Sequence, residues 1–474
     1  MSLHSLIAQI ARERVVAPGQ RGDGLAARPP RQRLCTGRGP RAIIMSVCLS
    51  LWLGLPQFEY TVLAAQATVA QLPRIRDLGP REGTIVLPRE SVPGLYVLSA
   101  PSVRELPDRR ILVSDRVARQ LLLFDSTLKK ARVILDSGAA DPTHRFVARD
   151  PIQRMNEWSH GRISPFERDQ TLFIDGVAQS YIVIGPDGSK VAVQAAPNTP
   201  SVRLDRAAAV DSRGRGVQRV EPPVGSSNGF FYQVPPDSQP LIRAALGEPP
   251  DTLGWLRVPP RTTKMGVANP LPVNDDWALL SDGSVAVVRA TDLHMDWVEP
   301  DGSRRSTPRI PFDWVRLSDE QKQALVDSLH AHYVLHPITD TYAGGAHGPI
   351  DVPEIISATA LPDYVPPFGG YTAIGDAEQH LWIRIFTAGE YPNSLRPGND
   401  SGVTAPKMLS DVGYGVSLRP PTGSPVYYVI DKSGTVVDRV RVPAGLRIVG
   451  FGRGSVYLLG DRSATEEVSR VSIR

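Results

Sequence analysis

The body of this chain has no cysteine. The 474 residues include only two cysteines, Cys35 and Cys48, and both lie within the first 67 positions. From residue 68 onward, disulfide bonds, thiolate metal sites and cysteine nucleophiles are therefore excluded. A cysteine-free body also suits a protein that is exported into an oxidising compartment.

The body also lacks a concentration of basic charge. The net charge of the whole chain is +4, but residues 1–67 contribute eight arginines and three acidic residues. Subtracting these from the 53 basic and 49 acidic residues leaves 45 and 46, a net charge of −1 for the rest of the chain. Because a domain that binds duplex nucleic acid carries a concentrated basic face, we expect no nucleic-acid partner.

Common local signatures of enzymes are missing as well. The sequence has no HExxH or phosphate-loop pattern, and a Ser-His-Asp triad stays open because its members need not be close in sequence. The densest histidine cluster is His330, His332 and His336. The first two are two residues apart and do not share a helix face. Histidines are favourable near a helix C-terminus, so we expect no metal site there.

The long apolar run needed to span a bilayer, about 20 residues, is also absent. Residues 42–55 form a shorter uncharged apolar run, which follows Arg38 and Arg41 and precedes the small-residue pattern Ala65-Gln66-Ala67. These are the parts of a secretory signal. We therefore expect cleavage at Ala65–Ala67 and a periplasmic or secreted protein, with membrane association only if the leader stays uncleaved. Residues 1–33 fit a signal poorly, which favours a translation start further downstream over a disordered extension.

What the body does contain is a repeated hairpin. Short apolar strands flank Asp-Gly or Ser-Gly turns, as in LLSDGSVAVV at 279–288 and VIDKSGTVVD at 429–438. Glycine supplies the positive φ that a tight hairpin needs, and aspartate tolerates it. The aspartates of these turns are therefore interpreted as turn residues and not as metal ligands; the turns are Asp187-Gly188, Asp282-Gly283, Asp301-Gly302 and Ser433-Gly434.

The strands group into sets of four. Six sets fit the sequence between residues 103 and 473, although the third is poorly marked and the last is one strand short. An orphan strand at 81–88 supplies the missing one, because a ring closed by strands from both chain ends leaves no exposed sheet edge. The sequence thus predicts an all-β fold, a six-bladed β-propeller over 81–474, after a leader at 1–67 and a linker at 68–80; five or seven blades stay possible. In the fourth set we expect Thr307–Ile310 as the last strand.

One short helix is predicted within the insertion between the fourth and fifth sets. Ser318 is positioned to cap it, with Gln321 three residues on, as in a capping box. Leu325, Val326 and Leu329 recur at helical spacing, so we expect one face of the helix to pack against the rest of the fold. We expect the helix to brace the fold; a lid is the alternative.

The strand–turn–strand pattern, as in LPDRRILVSDRVARQLLLFD at 106–125 and the PDG turns, resembles the NHL-like six-bladed propellers of bacterial exported proteins. The likeness covers roughly 81–474. It lies in repeat period and turn chemistry, so it implies a fold and leaves the activity open. Insertions beyond the repeat are expected at 137–160, 222–238, 260–274, 313–357 and 387–424.

Some propellers of this general type are metal-dependent lactonases or lyases that gather carboxylate, Asn or His ligands at the central channel, where calcium would suit oxygen ligands. Asp115, Asp175 and Asp376 each end an apolar strand, which would allow a shared role. We expect them to stabilise the next turn through an Asx-type hydrogen bond. The expectation is therefore no cofactor, with calcium as the alternative.

The insertions carry aromatic residues next to polar ones, a composition common at recognition surfaces. Propeller insertions often collect around the channel mouth. We therefore expect a non-catalytic binding or scaffold module for an unknown protein or small molecule, with a metal-dependent hydrolase or lyase as the alternative. The candidate ligand-binding residues are Arg154, Trp158, His160, Trp314, His347 and Tyr391.

Overall fold

The structure is a computed structural model of the chain, which divides into two units, Met1–Gln66 and Ala67–Arg474. It describes residues 72–88, 101–115, 118–139, 141, 145, 161–175, 178, 180–196, 209–220, 237–258, 267–335, 354–369, 372–386, 424–461 and 465–473, all within the second unit. The predicted leader, including Ala65 and Ala67, lies outside the described residues. Within them, no helix is both long enough and apolar enough to cross a membrane.

The described residues form six four-stranded antiparallel sheets, the blades of a β-propeller, with one extra strand on the fifth. The strands are β1 (Ile75–Asp77), β2 (Arg81–Pro88), β3 (Ser102–Glu105), β4 (Ile111–Asp115), β5 (Gln120–Phe124), β6 (Ala131–Asp136), β7 (Ile163–Pro165), β8 (Thr171–Asp175), β9 (Ser180–Ile184), β10 (Lys190–Ala195), β11 (Ala209–Val210), β12 (Gly216–Arg219), β13 (Ser238–Ala244), β14 (Asp251–Arg257), β15 (Val267–Ala268), β16 (Asp276–Leu279), β17 (Val285–Arg289), β18 (His294–Val298), β19 (Arg304–Ser306), β20 (Glu354–Ile355), β21 (Ala373–Gly375), β22 (Leu381–Ile385), β23 (Val426–Ile430), β24 (Val436–Arg441), β25 (Leu446–Gly452), β26 (Ser455–Asp461) and β27 (Thr465–Ser472).

Blades 1 to 5 are β3–β6, β7–β10, β11–β14, β16–β19 and β21–β24. Blade 6 is β25–β27 completed by β2 from the N-terminal side of the propeller. The orphan strand at 81–88 was predicted to play this part, and the prediction is confirmed. Ile85 of β2 pairs with Val468 of β27, and both are buried in one cluster with Tyr457 of the same blade and Val103 of blade 1. The hydrophobic effect therefore holds the ring closed at this seam.

The first strand of each blade lies innermost, where neighbouring blades come closest. A Cβ atom on Gly450 of β25 would lie 2.4 Å from the Val103 carbonyl oxygen of β3, and one on Gly375 of β21 would lie 2.7 Å from the Leu279 carbonyl oxygen of β16. Glycine at these positions lets backbones of adjacent blades touch. The cores lie between blades; the largest cluster joins blades 4 and 5 around Trp297 and Leu381.

Two strands of the blade sheets differ from the sequence predictions. The last strand of blade 4 is β19, Arg304–Ser306, and not Thr307–Ile310. The apolar signal came from Ile310, which packs into the core between blades 4 and 5 from the connection after the strand. Residues 68–80, assigned to a linker, contain β1, which pairs in parallel with β24 as a fifth strand on blade 5.

The predicted helix is α1, Asp319–Leu335. Its capping box is confirmed, because Ser318 Oγ accepts from the Gln321 amide at 3.3 Å while Gln321 Oε1 accepts from the Ser318 amide at 2.9 Å. Leu325 and Val326 are buried against Leu271 and Leu361. The helix thus braces a small unit built from two blade-to-blade connections, which also holds the parallel pair β15–β20 and a 3-10 helix at Ala358–Ala360. A second 3-10 turn, Glu167–Asp169, lies between β7 and β8.

The glycine turns behave as predicted. Gly434, for example, has φ +90°, and a Cβ atom there would lie 2.6 Å from Cβ of Thr307 in the neighbouring blade. Asp187 and Asp282 each accept a hydrogen bond at 2.9 Å from the amide two residues on. These aspartates are therefore turn residues, as the sequence predicts.

Candidate functional site: the insertion face

The strand order separates two faces of the ring. Within each antiparallel blade, the turns joining the first to the second strand and the third to the fourth start and end at one face, which we call the turn face. The connections from the second to the third strand, and from each blade to the next, start and end at the opposite face, which we call the insertion face. All the long insertions predicted from sequence therefore join strands at the insertion face.

Of the six predicted ligand-binding residues, Trp314 lies in the described part of the chain. It follows β19 on the connection between blades 4 and 5, which is rooted at the insertion face. The other five lie outside the described residues, although each belongs to a segment that joins strands at this same face: Arg154, Trp158, His160, His347 and Tyr391. The described strand ends that flank these segments thus lie on one side of the ring.

Trp314 belongs to a ladder of three aromatic rings. Its ring meets Phe312 edge to face, with centroids 5.2 Å apart, and meets Tyr364 in the same manner at 6.2 Å. Trp314 is 37% exposed and Tyr364 is 45% exposed, so this pair presents aromatic surface to solvent. Sequence reasoning did not single out Tyr364, because it lies 50 positions further along the chain and meets this segment through a β-bridge to Arg316 that no local pattern predicts.

A paired backbone holds the two rings in place. Arg316 and Tyr364 form an antiparallel bridge, with hydrogen bonds of 2.8 Å from the Leu317 amide to the Asp363 carbonyl and 2.9 Å from the Val365 amide to the Val315 carbonyl. Nearby, the buried Lys322 of α1 donates to the exposed Asp363 carboxylate at 2.6 Å and lowers the pKa of that carboxyl. The aromatic pair therefore stands on a rigid support beside charged groups.

An ion-pair chain fixes the root of this connection to blade 4. Arg289 donates to Asp275 and to Asp296, at 2.7 Å each, and Ser306 also donates to Asp296. Burial would raise the pKa of Asp296, but the hydrogen bonds from Ser306 and Arg289 outweigh it and lower that pKa. Towards solvent, His294 Nδ1 lies 2.6 Å from Asp292.

Asp276 ties blade 4 to blade 5 at the start of the innermost strand. Its buried carboxylate accepts from the amides of Thr372, at 2.6 Å, and Ala373, at 2.9 Å. Burial raises its pKa, and these hydrogen bonds oppose the rise. A buried carboxylate with several amide donors is a structural acceptor between blades, so we do not assign it to catalysis.

The three aspartates considered from sequence do not share one position. Asp115 and Asp175 end the second strands of blades 1 and 2 at the insertion face, and each accepts at 2.9 Å from the amide three residues on. Asp376 follows the first strand of blade 5 at the turn face, where it accepts from the amides of Glu378 and His380 at 2.8 Å each. All three stabilise turns, as predicted, but Asp376 lies on the other face.

Metal ligation was also considered from sequence. Among the described residues, no group of three or more His, Cys, Asp and Glu side chains is placed to hold a metal ion. Of the histidine cluster, His330 and His332 lie in α1, and His336 lies outside the described residues.

Comparisons with known proteins give only distant likenesses to solved structures. No family model matches the chain, and no curated protein matches it. Among solved structures, a gluconolactonase from Xanthomonas campestris is 10% identical, with 84% of this chain and 99% of that chain covered and a TM-score of 0.33. Virginiamycin B lyase from Staphylococcus aureus is 8% identical, and the match covers 82% of this chain and 98% of the lyase with a TM-score of 0.31. The calcium-binding protein regucalcin from Agrobacterium tumefaciens is 11% identical, and the match covers 85% of this chain and 97% of regucalcin with a TM-score of 0.31. Likenesses of this size do not assign an activity.

Proposed function

We propose that this protein is an exported, non-catalytic binding or scaffold module whose protein or small-molecule ligand binds at the insertion face. The observation that carries the proposal is the exposed Trp314–Tyr364 pair, held on a paired backbone at the face where the long insertions are rooted. Tyrosine and tryptophan give much contact area at low entropic cost and dominate many recognition surfaces. The NHL-like resemblance of the repeats is part of the same proposal.

Site-specific photo-crosslinking tests it. A photoreactive phenylalanine analogue replaces either Trp314 or Trp255, an exposed tryptophan on the outermost strand of blade 3 that serves as the matched control. In cells, we expect a discrete adduct at position 314, seen on gels for a protein partner or by intact mass for a small ligand, and none at position 255. The same adducts at both positions, or none at 314, contradict the proposal.

A second proposal is a metal-dependent hydrolase or lyase of the lactonase type, with calcium at the channel mouth. In its favour, Asp115, Asp175 and Asp275 all lie where strands meet the insertion face, and carboxylate oxygens suit a hard cation. Their hydrogen bonds to amides and to Arg289 weigh against it. Metal analysis of the purified protein with a gluconolactone hydrolysis assay separates the two: stoichiometric calcium with activity supports the enzyme, and metal-free inactive protein contradicts it.

A further inference from the structure

The exposed aromatic pair of the insertion face lies beside an exposed arginine. Arg316 comes two residues after Trp314 and stands directly opposite Tyr364 in the antiparallel bridge. Residues two apart on an extended segment, and residues opposite each other across an antiparallel pair, point to the same side. Trp314, Arg316 and Tyr364 are all exposed, whereas the residues that alternate with them, Val315 and Val365, are half-buried and buried. The three exposed side chains therefore form one surface, which we call the Trp-Arg-Tyr surface.

The positive charge of Arg316 is not neutralised by a described carboxylate. Asp363, which precedes Tyr364, is held by Nζ of the buried Lys322 at 2.6 Å. Lys322 accounts for most of the lowering of the Asp363 pKa, and the charge of Arg316 adds to it. Two cations thus lie near one carboxylate, and no hydrogen bond or ion pair joins the Arg316 guanidinium to a described residue. The surface therefore has a positive charge to offer to a ligand.

The other acidic side chains of this stretch have different partners. Asp319 and Glu320 lie in the first turn of α1, where the helix dipole favours negative charge, and Ser318 lowers the pKa of Glu320 by a hydrogen bond. Burial raises the pKa of Tyr428 in blade 5, and the charge of Asp313 adds to this rise. None of these carboxylates forms an ion pair with the arginine of the Trp-Arg-Tyr surface.

The geometry of the rings favours a peptide over a small molecule. The planes of Trp314 and Tyr364 meet at 82°, so a flat ligand cannot stack on both faces at once. The corner between the rings suits the apolar side chain of an extended peptide. Small-molecule sites enclose most of their ligand, whereas these rings are open to solvent. Tryptophan, tyrosine and arginine are also the residues that contribute most to binding at protein–protein interfaces.

We propose that the Trp-Arg-Tyr surface binds an acidic peptide segment of a protein partner, with an Asp or Glu carboxylate on the Arg316 guanidinium and an apolar side chain in the corner between Trp314 and Tyr364. Cβ atoms of opposed residues such as Arg316 and Tyr364 lie about 5 Å apart, and alternate side chains of an extended peptide lie about 7 Å apart, so one short segment reaches both. A guanidinium pairs with a carboxylate through two parallel hydrogen bonds. The inference rests on the proposed function and narrows its ligand to one class.

Selection from a phage-displayed library of random dodecapeptides on the whole protein tests the ligand class. We expect the wild type to enrich peptides with Asp or Glu close to a bulky apolar residue, and Trp314→Ala to enrich none of them. Arg316→Glu should reverse the preference to Lys and Arg. The matched control is Arg453→Glu, since Arg453 is an exposed arginine between β25 and β26 on the turn face, and it should leave the preference unchanged. An acidic preference that persists in Arg316→Glu overturns the proposal.

A double-mutant cycle connects the carboxylate to Arg316. The most enriched peptide is synthesised with its acidic residue as Glu and as Gln, and both forms are titrated against wild type and Arg316→Gln by fluorescence anisotropy. On the wild type, the change from Glu to Gln should weaken binding about tenfold. This difference should vanish on Arg316→Gln and shrink on the wild type as salt is added. A difference of the same size on both proteins overturns the proposal.

The two sets of results separate this inference from the proposed function. If the photo-crosslink at position 314 forms but the selected peptides show no acidic preference, the inference fails and binding at the insertion face stands. If no crosslink forms and no peptide is selected, both fail.

Discussion

Gly450 shows at the scale of one residue how tightly neighbouring blades meet. A methyl group there would lie 2.4 Å from the Val103 carbonyl oxygen and 3.0 Å from Val103 Cβ, and the nearest obstacle is backbone. We expect Gly450→Ala to lower the free energy of unfolding by about 2 kcal/mol or more, because blades 6 and 1 must separate. Chemical denaturation measures the loss. Gly254→Ala is the control, since nothing lies within 4 Å of its Cβ position; equal losses for both variants would contradict the expected contact.

Lys432 gives a residue-scale prediction that depends on pH. Its ammonium joins blades 4 and 5 at the turn face by donating to Asp282, to Ser284 at 2.7 Å and to Glu299 at 3.1 Å. Burial would raise the pKa of Asp282 and of Glu299, but hydrogen bonds from Ser284 and Lys432 lower both, and the two carboxylates raise the pKa of Lys432 against its own burial.

The lowered carboxyl pKa values contribute stability that is present above about pH 4 and lost as the pH falls, whereas the raised lysine pKa contributes stability lost only above about pH 10. Lys432→Met should therefore be less stable than wild type by about 1 kcal/mol or less near pH 7, because the groups are partly exposed. This difference in stability between the variant and the wild type should shrink below about pH 4. Thermal unfolding across pH measures it. Lys129 is exposed, so Lys129→Met should be as stable as the wild type at every pH. A stability loss in Lys432→Met that grows in acid would refute the assignment.

At the scale of an element, the capping box of α1 can be tested by itself. Ser318→Ala removes the side-chain acceptor of the Gln321 amide, at 3.3 Å. Loss of such a cap costs about 1 kcal/mol, whereas a change to glycine costs a few tenths. We expect amide exchange in Asp319–Leu335 to speed up about fivefold in Ser318→Ala and clearly less in Ser318→Gly, measured by hydrogen–deuterium exchange. Equal acceleration in both variants would show that the cap does not hold the helix.

The elements that sequence reasoning found are those whose pattern is local. The strands of blades 1 and 2 alternate with turn residues, and α1 carries its cap beside its apolar face, so both were predicted from neighbouring positions. β1 was missed because three residues, Ile75–Asp77, carry no usable period. β19 was misplaced because its residues are polar and exposed, while the apolar Ile310 beyond it packs into the core.

At the scale of the whole molecule, contacts between blades were beyond sequence reasoning. Trp314 was chosen because aromatic residues beside polar ones in an insertion are typical of recognition surfaces, but its partner Tyr364 depends on how the connection folds back. Topology fixed from hairpins therefore predicts the face of a site better than the residues within it.

Closure of the ring gives the last prediction. A variant lacking residues 1–79 loses β1, whose Arg76–Asp438 ion pair is partly exposed, but keeps β2. A variant lacking residues 1–89 also loses β2, which buries Ile85 and Leu87 in the seam between blades 6 and 1. Burying each such side chain contributes about 1.5–3 kcal/mol, and an open ring also exposes the edge of β27. We therefore expect the shorter deletion to unfold cooperatively, a few degrees below the wild type, and the longer one to lose cooperative unfolding and to aggregate. Calorimetry and light scattering distinguish them, and a stable monomer without β2 would show that the ring does not depend on its N-terminal strand.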